Sequence, residues 1–155
     1  MWQRVQTVFL GVAVLSLLAS MVFPIWMVDV NGERIALMSF YLMKGPATTP
    51  TFTTFPYTVT AMLCVAAITL AIIEIFKYKN RVAQMKIGAL NSFFLVGIIL
   101  ASFYFSNDLT KSINAGGGGY GLGFWLPGVA VLCNLLANRF IRQDEKLVRD
   151  SSRLR

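Results

Sequence analysis

The chain has 155 residues, of which 56% are hydrophobic and 14% charged, with 14 Lys and Arg against 7 Asp and Glu. A soluble domain of this length carries about a quarter charged residues, so this one is too apolar and too basic for that class, and an integral membrane protein of one domain remains. The lack of histidine removes the commonest general base and metal ligand, and two cysteines, Cys64 and Cys133, are too few for a disulfide scaffold or a structural zinc site.

A helix needs roughly 20 mostly apolar residues to cross a bilayer core. The first charge-free run, about 5–28, ends in Pro24 and the interface-favouring Trp26. It is longer than a secretory h-region and no A-x-A cleavage site follows it, so a retained first span is expected. Further spans are predicted over about 57–77, interrupted late by Glu74, then 87–105 and 122–141. The expected fold is therefore an all-α membrane protein, a four-transmembrane-helix bundle, with spans two and three antiparallel neighbours because their linker is short.

Orientation follows from the basic residues. The N-terminus, the 77–86 connector and the chain after Asn138 carry 1, 4 and 6 of them, whereas the other face holds Arg34, Lys44 and Lys111. Asp29, Glu33 and Asp108 cancel those three, which leaves the whole net charge of +7 on one side. Both termini are accordingly expected in the cytoplasm.

The outer loop 29–55 begins WMVDV-NG-ERIALMSFYLM. Asn-Gly between two β-rich runs is a strong hairpin signal, so a small outer-face β-hairpin pairing 26–31 with 33–42 is predicted. Met38, Phe40 and Tyr41 on it would either dock a partner or a headgroup layer, or belong to an irregular loop. The GPATTPTFTTFP that follows reads as an extended, wet return. In the second outer loop, 106–121, four consecutive glycines from Gly116 to Gly119 predict a flexible connector. Gly119-Tyr120-Gly121 has the letters of a potassium filter, but no Thr-Val precedes it and no pore helix is evident.

Glu74 is the only acid inside a predicted span, and an intramembrane charge is a functional candidate. It also stands three residues before Lys77, on one helix face, so a carboxylate reaching toward the interface beside Lys77 is the plainer expectation. Asn91, Asn134 and Asn138 lie in the same half of the membrane as Glu74, and Asn91 and Asn134 are expected to form a polar cluster with Glu74 that ties helices two, three and four together. Close packing is expected at the small-residue pairs Ser16/Ser20, Ala67/Ala71 and Gly97/Ala101. Cys64 and Cys133 fall about 6 Å apart in depth, and buried, inert thiols are expected.

From Asn138 into the tail 142–155, Phe140, Leu147 and Leu154 stand at seven-residue intervals with Ile141 and Val148 beside them. A cytoplasmic amphipathic C-terminal helix is predicted, suited to an anionic inner leaflet or to a protein partner. The candidate contact surface is Arg139, Arg142, Asp144, Glu145, Lys146, Arg149 and Arg153. No nucleic-acid partner is expected, since no aromatic-interleaved platform accompanies the charge.

The opening MWQRVQTVFL, with Gln3, Arg4, Gln6 and Leu10, and the ending, from Leu126-Pro127 through Ala137-Asn138-Arg139 and Ile141 to DEKLVR and Arg153-Leu154-Arg155, resemble a bacterial family of four-helix membrane proteins. That family is the domain of unknown function 4293, seen chiefly in Bacteroidetes. Phe23-Pro24 also resembles its first-span exit, whereas the tetraglycine loop and Asp150-Ser151 have no counterpart there. The resemblance implies four spans in an inner membrane and supplies no activity. The sequence favours a non-enzymatic accessory subunit or assembly factor of a membrane protein complex, without cofactor or metal. The alternatives are a small transporter, channel or membrane sensor, for which Glu74 and the asparagines offer the polar path, and a lipid-modifying enzyme, for which no acid pair or Ser/Lys centre is found.

Overall fold

The apolar runs fold as four helices in the computed structural model, which describes residues 3–30, 32–46, 48–78, 80–113 and 118–153, with backbone only for 3, 4 and 149–153. They are α1 (Gln3–Val22), α2 (Thr58–Phe76), α3 (Arg81–Ile113) and α4 (Leu122–Arg153), and all four are long and apolar enough to cross a membrane. Each packs on two neighbours, so that α1, α2, α3 and α4 form a ring closed by α4 against α1.

On each helix, buried residues form a series spaced alternately by three and four, with others such as Ser16, Ala61, Cys133 and Asn138 beside it. The members of the series are Gln6, Leu10, Ala13, Leu17 and Ser20 on α1, then Thr60, Cys64, Ala67, Ala71 and Glu74 on α2. The series continues with Gln84, Gly88, Asn91, Leu95, Ile98 and Ser102 on α3 and Pro127, Ala130, Asn134, Ala137 and Ile141 on α4. A mean period of 3.5 keeps one seam of each helix turned inward, as in left-handed bundles. The expected small-residue contacts follow it: Ser16, Ser20, Ala67 and Ala71 are buried, while Gly97 and Ala101 are half-buried. Cys64 and Cys133 are both free thiols of this interior. Large apolar side chains such as Leu15, Met62, Phe93, Trp125 and Leu132 instead cover the outside. Small and polar residues within and large apolar ones without invert the usual soluble arrangement.

The predicted hairpin is present and is part of a larger sheet at one end of the bundle. β1 (Trp26–Val30) pairs antiparallel with β2 (Glu33–Leu37) in the register Val30↔Glu33, through a turn of Gly32, at φ +82°, and Asn31, which lies outside the described residues. The second strand ends at Leu37 rather than 42. Met38 N–H donates to Tyr41 O at 2.9 Å, and buried Ser39 donates its hydroxyl to Ser20 O at 3.2 Å while its carbonyl accepts from Ala61 N–H at 3.1 Å. The chain turns there to join α1 and α2, then returns as β3 (Leu42–Gly45). Phe40 is exposed, and Met38 and Tyr41 are half-buried.

The expected extended, wet return holds an exposed edge strand, β4 (Thr51–Thr53), whereas the loop expected as a flexible glycine connector contributes a further strand, β5 (Gly119–Tyr120), giving the order β4-β3-β2-β1-β5. Gly116 and Gly117 lie outside the described residues. Gly119 has open space, but three other glycines serve close approach: a Cβ on Gly118 would meet the Trp26 indole, one on Gly121 the Pro24 carbonyl, and one on Gly123 the Phe23 and Pro24 carbonyls. Gly121 and Gly123 N–H donate to Ile25 O and Pro24 O at 2.9 and 3.0 Å, which seals the start of α4 against β1. The sheet rests on Phe105, Leu109 and Ile113, on the part of α3 that extends past its neighbours.

Pro127 stands inside α4 and lacks the N–H that would bond the carbonyl of Gly123. The Ser20 hydroxyl donates to that carbonyl at 3.0 Å. At the opposite end the tail is no separate helix, because α4 continues unbroken to Arg153. Its predicted apolar stripe divides. Ile141 is buried, Phe140 stacks on Phe9 with ring centroids 5.7 Å apart, Leu147 is exposed, and Leu154 lies outside the described residues.

Candidate functional site

Towards the tail end the bundle interior turns polar. Asn134 sits at its centre: its Nδ2 donates to Gly88 O at 3.1 Å and to Ser92 Oγ at 2.8 Å, and its Oδ1 accepts from Asn91 Nδ2 at 3.4 Å. Ser92 Oγ in turn donates to Gly88 O at 3.0 Å. The predicted link between α3 and α4 through Asn91 and Asn134 is therefore made, and the helix spacing that places both residues on inward seams is its cause.

Glu74 joins this layer sterically rather than by hydrogen bonds. It is 0% exposed, and among the described residues neither carboxyl oxygen has a hydrogen-bond partner; Asn91 Oδ1 is likewise unpartnered. The expectation of a carboxylate reaching outward beside Lys77 is thus overturned, because Glu74 belongs to the inward seam of α2 while Lys77 is exposed beyond the helix end. Gly88 makes the room. A Cβ there would lie 2.7 Å from Glu74 Oε1 and would collide with the Asn138 amide. Gly88, Ser92 and Asn138 are the members of the site that the sequence reading left out of the cluster. The signal for the first was its place between Gln84 and Asn91 at intervals of four and three, and for Asn138 its place one turn after Asn134.

Two hollows flank this layer. One, of about 480 Å³, lies between α3 and α4 and is lined by Ala89, Ser92, Leu135 and Asn138 below and by Arg139, Arg142, Gln143 and Lys146 towards the tail. The other, of about 590 Å³, lies beside α1 and α2, with Gln6, Phe76, Tyr78 and Gln84 among its walls.

The predicted contact surface on α4 separates into two parts. Arg139, Arg142 and Lys146 are exposed and border the first hollow. Asp144 instead faces α3, where its Oδ2 pairs with Arg81 Nη2 at 3.1 Å while its backbone carbonyl accepts from Arg81 Nη1 at 2.8 Å. Glu145 is half-buried, and the side chains of Arg149 and Arg153 lie outside the described residues. Beyond Asp144 the helix continues for nine residues, about 14 Å at 1.5 Å per residue.

Over residues 2–154 the chain matches the family described as Domain of unknown function (DUF4293), and it belongs to that family. Comparison with curated proteins finds no match.

Proposed function

Taking that family membership as the premise, we propose that the chain is a four-span protein of a bacterial inner membrane that acts as a non-enzymatic accessory subunit or assembly factor. The apolar exterior of all four helices supports the membrane placement. The charge distribution supports a cytoplasmic position for both termini and an outer position for the sheet. The observation that carries the accessory reading is the continuation of α4 past the Arg81–Asp144 pair, a braced helical arm that presents the exposed Lys146 and Leu147 beyond the bundle. An arm held in place before contact loses less conformational freedom on docking than a loose tail would.

The test is cross-linking mass spectrometry on the tagged chain, extracted in native lipid discs. A recurrent membrane protein cross-linked to Lys146, and reduced by Leu147→Asp, is expected; a chain cross-linked only to itself contradicts the reading. The buried, unpartnered Glu74 favours a second reading, an ion-coupled transporter. Ion flux in proteoliposomes that Glu74→Gln abolishes would establish it, and flux equal to that of empty vesicles would remove it.

A further inference from the structure

We propose that the groove between α3 and α4 binds the phosphate of an anionic phospholipid, with Arg139, Arg142 and Lys146 as its ligands and the acyl chains running along the apolar faces above it. The proposal rests on the membrane placement given above and is independent of any protein partner.

Arg139, Arg142 and Lys146 stand at i, i+3 and i+7, which places them on one face of α4. They border a hollow of about 480 Å³ to which, among the described residues, no carboxylate contributes. Among the described residues the ion pair of this region is Arg81 with Asp144, so Asp144 is occupied on the side facing α3, and Glu145, half-buried and three residues after Arg142, is not among the residues that line the hollow. Three cations around one hollow without a counter-charge call for an anion. Guanidinium groups match phosphate oxygens two at a time, and a basic pocket between membrane helices at the cytoplasmic side is the setting in which such headgroups are held.

The form of the hollow selects a lipid over a soluble phosphate. Its floor is Ala89, Ser92, Leu135 and Asn138, so polar and apolar groups meet there. From that floor the two helices carry exposed apolar side chains toward the bundle centre, Phe93 and Val96 on α3 and Leu132 and Leu135 on α4. An amphiphile lying in this lane has its phosphate against the cations and its chains against these residues. A free phosphate would leave the lane uncovered.

Native mass spectrometry of the full chain, released from micelles holding equal phosphatidylglycerol and phosphatidylcholine, tests this. Phosphatidylglycerol retained at least tenfold over phosphatidylcholine is expected. Arg142→Gln with Lys146→Gln should lower that preference tenfold. Ala89→Trp should do the same by filling the groove at constant charge, while Lys77→Gln, an exposed base beyond the end of α2 and away from the groove, should leave it unchanged. Circular dichroism and thermal melts confirm folding, and Leu135→Trp from the opposite wall replaces Ala89→Trp if that variant does not fold. Equal retention of the two lipids overturns the proposal. So does a loss with Lys77→Gln as large as with the double variant, or retention indifferent to groove filling, since either would mean diffuse charge attraction. Displacement by inorganic phosphate at equal concentration would assign the site to a soluble ligand. The cross-linking result is separate, so failure of the lipid site and failure of the partner reading are told apart.

Discussion

At the scale of single residues, Gly88 and Glu74 depend on each other. The missing side chain at 88 is the space that the Glu74 carboxyl and the Asn138 amide occupy. Gly88→Ala should therefore destabilise the bundle by about 1–3 kcal/mol, the usual cost of overpacking a filled interior, read as a lower melting temperature in detergent. Glu74→Gln should leave that temperature unchanged or raise it, because a buried carboxyl with no hydrogen-bond partner among the described residues loses none on becoming an amide. A lower melting temperature for Glu74→Gln would show that the carboxyl is satisfied by a bound ion or water. Asn134 behaves differently, since it holds three hydrogen bonds. Asn134→Ala should cost about 0.6–2 kcal/mol per bond lost across the helices. The asparagine pair was legible in the sequence because hydropathy makes a polar residue in a span conspicuous. The direction of Glu74 was not, because Lys77 three residues on offered an equally good local partner, and only the glycine on the facing helix decides between them.

At the scale of elements, α4 shows how a helix interruption is repaired from elsewhere. Pro127 leaves the Gly123 carbonyl without its helical donor, and Ser20 on α1 supplies one at 3.0 Å. Ser20→Ala should cost about 1–2 kcal/mol by stranding a buried carbonyl. In the Pro127→Ala background the cost should shrink, because the restored N–H satisfies the same oxygen; a thermal-melt double-mutant cycle measures the coupling. Equal costs in both backgrounds would refute this role for Ser20. The hairpin and the four helices were readable because their signals, an Asn-Gly turn and long apolar runs, are local. β5 was not, since Trp26↔Tyr120 joins residues far apart in the chain, and glycines chosen for close approach to Trp26 and Pro24 look the same in sequence as glycines chosen for freedom. The tail was read as a separate element because charge and hydropathy change at residue 142, but nothing in that change breaks a helix, and Arg81 holds its start.

At the scale of the whole molecule, α3 and α4 exceed the thickness of a bilayer core in opposite senses. α3 runs on under the sheet, and α4 runs on past Asp144 as the basic arm. The net charge of +7 that first marked the chain as unusual thus becomes an asymmetry between two ends, one neutral and folded as a sheet, the other basic and helical. Membrane crossing with both termini in the cytoplasm is the claim from which the lipid groove and the partner arm follow. The most direct measurement is labelling of single introduced cysteines by a membrane-impermeant maleimide on spheroplasts, with Thr48→Cys marking the sheet end and Leu147→Cys the arm, both exposed positions. The native Cys64 and Cys133 are buried, so the unaltered chain should remain unlabelled. Labelling of Thr48→Cys on intact spheroplasts, with Leu147→Cys labelled only after permeabilisation, is the expected result. Labelling of Leu147→Cys from outside, or of both positions alike, would contradict the account.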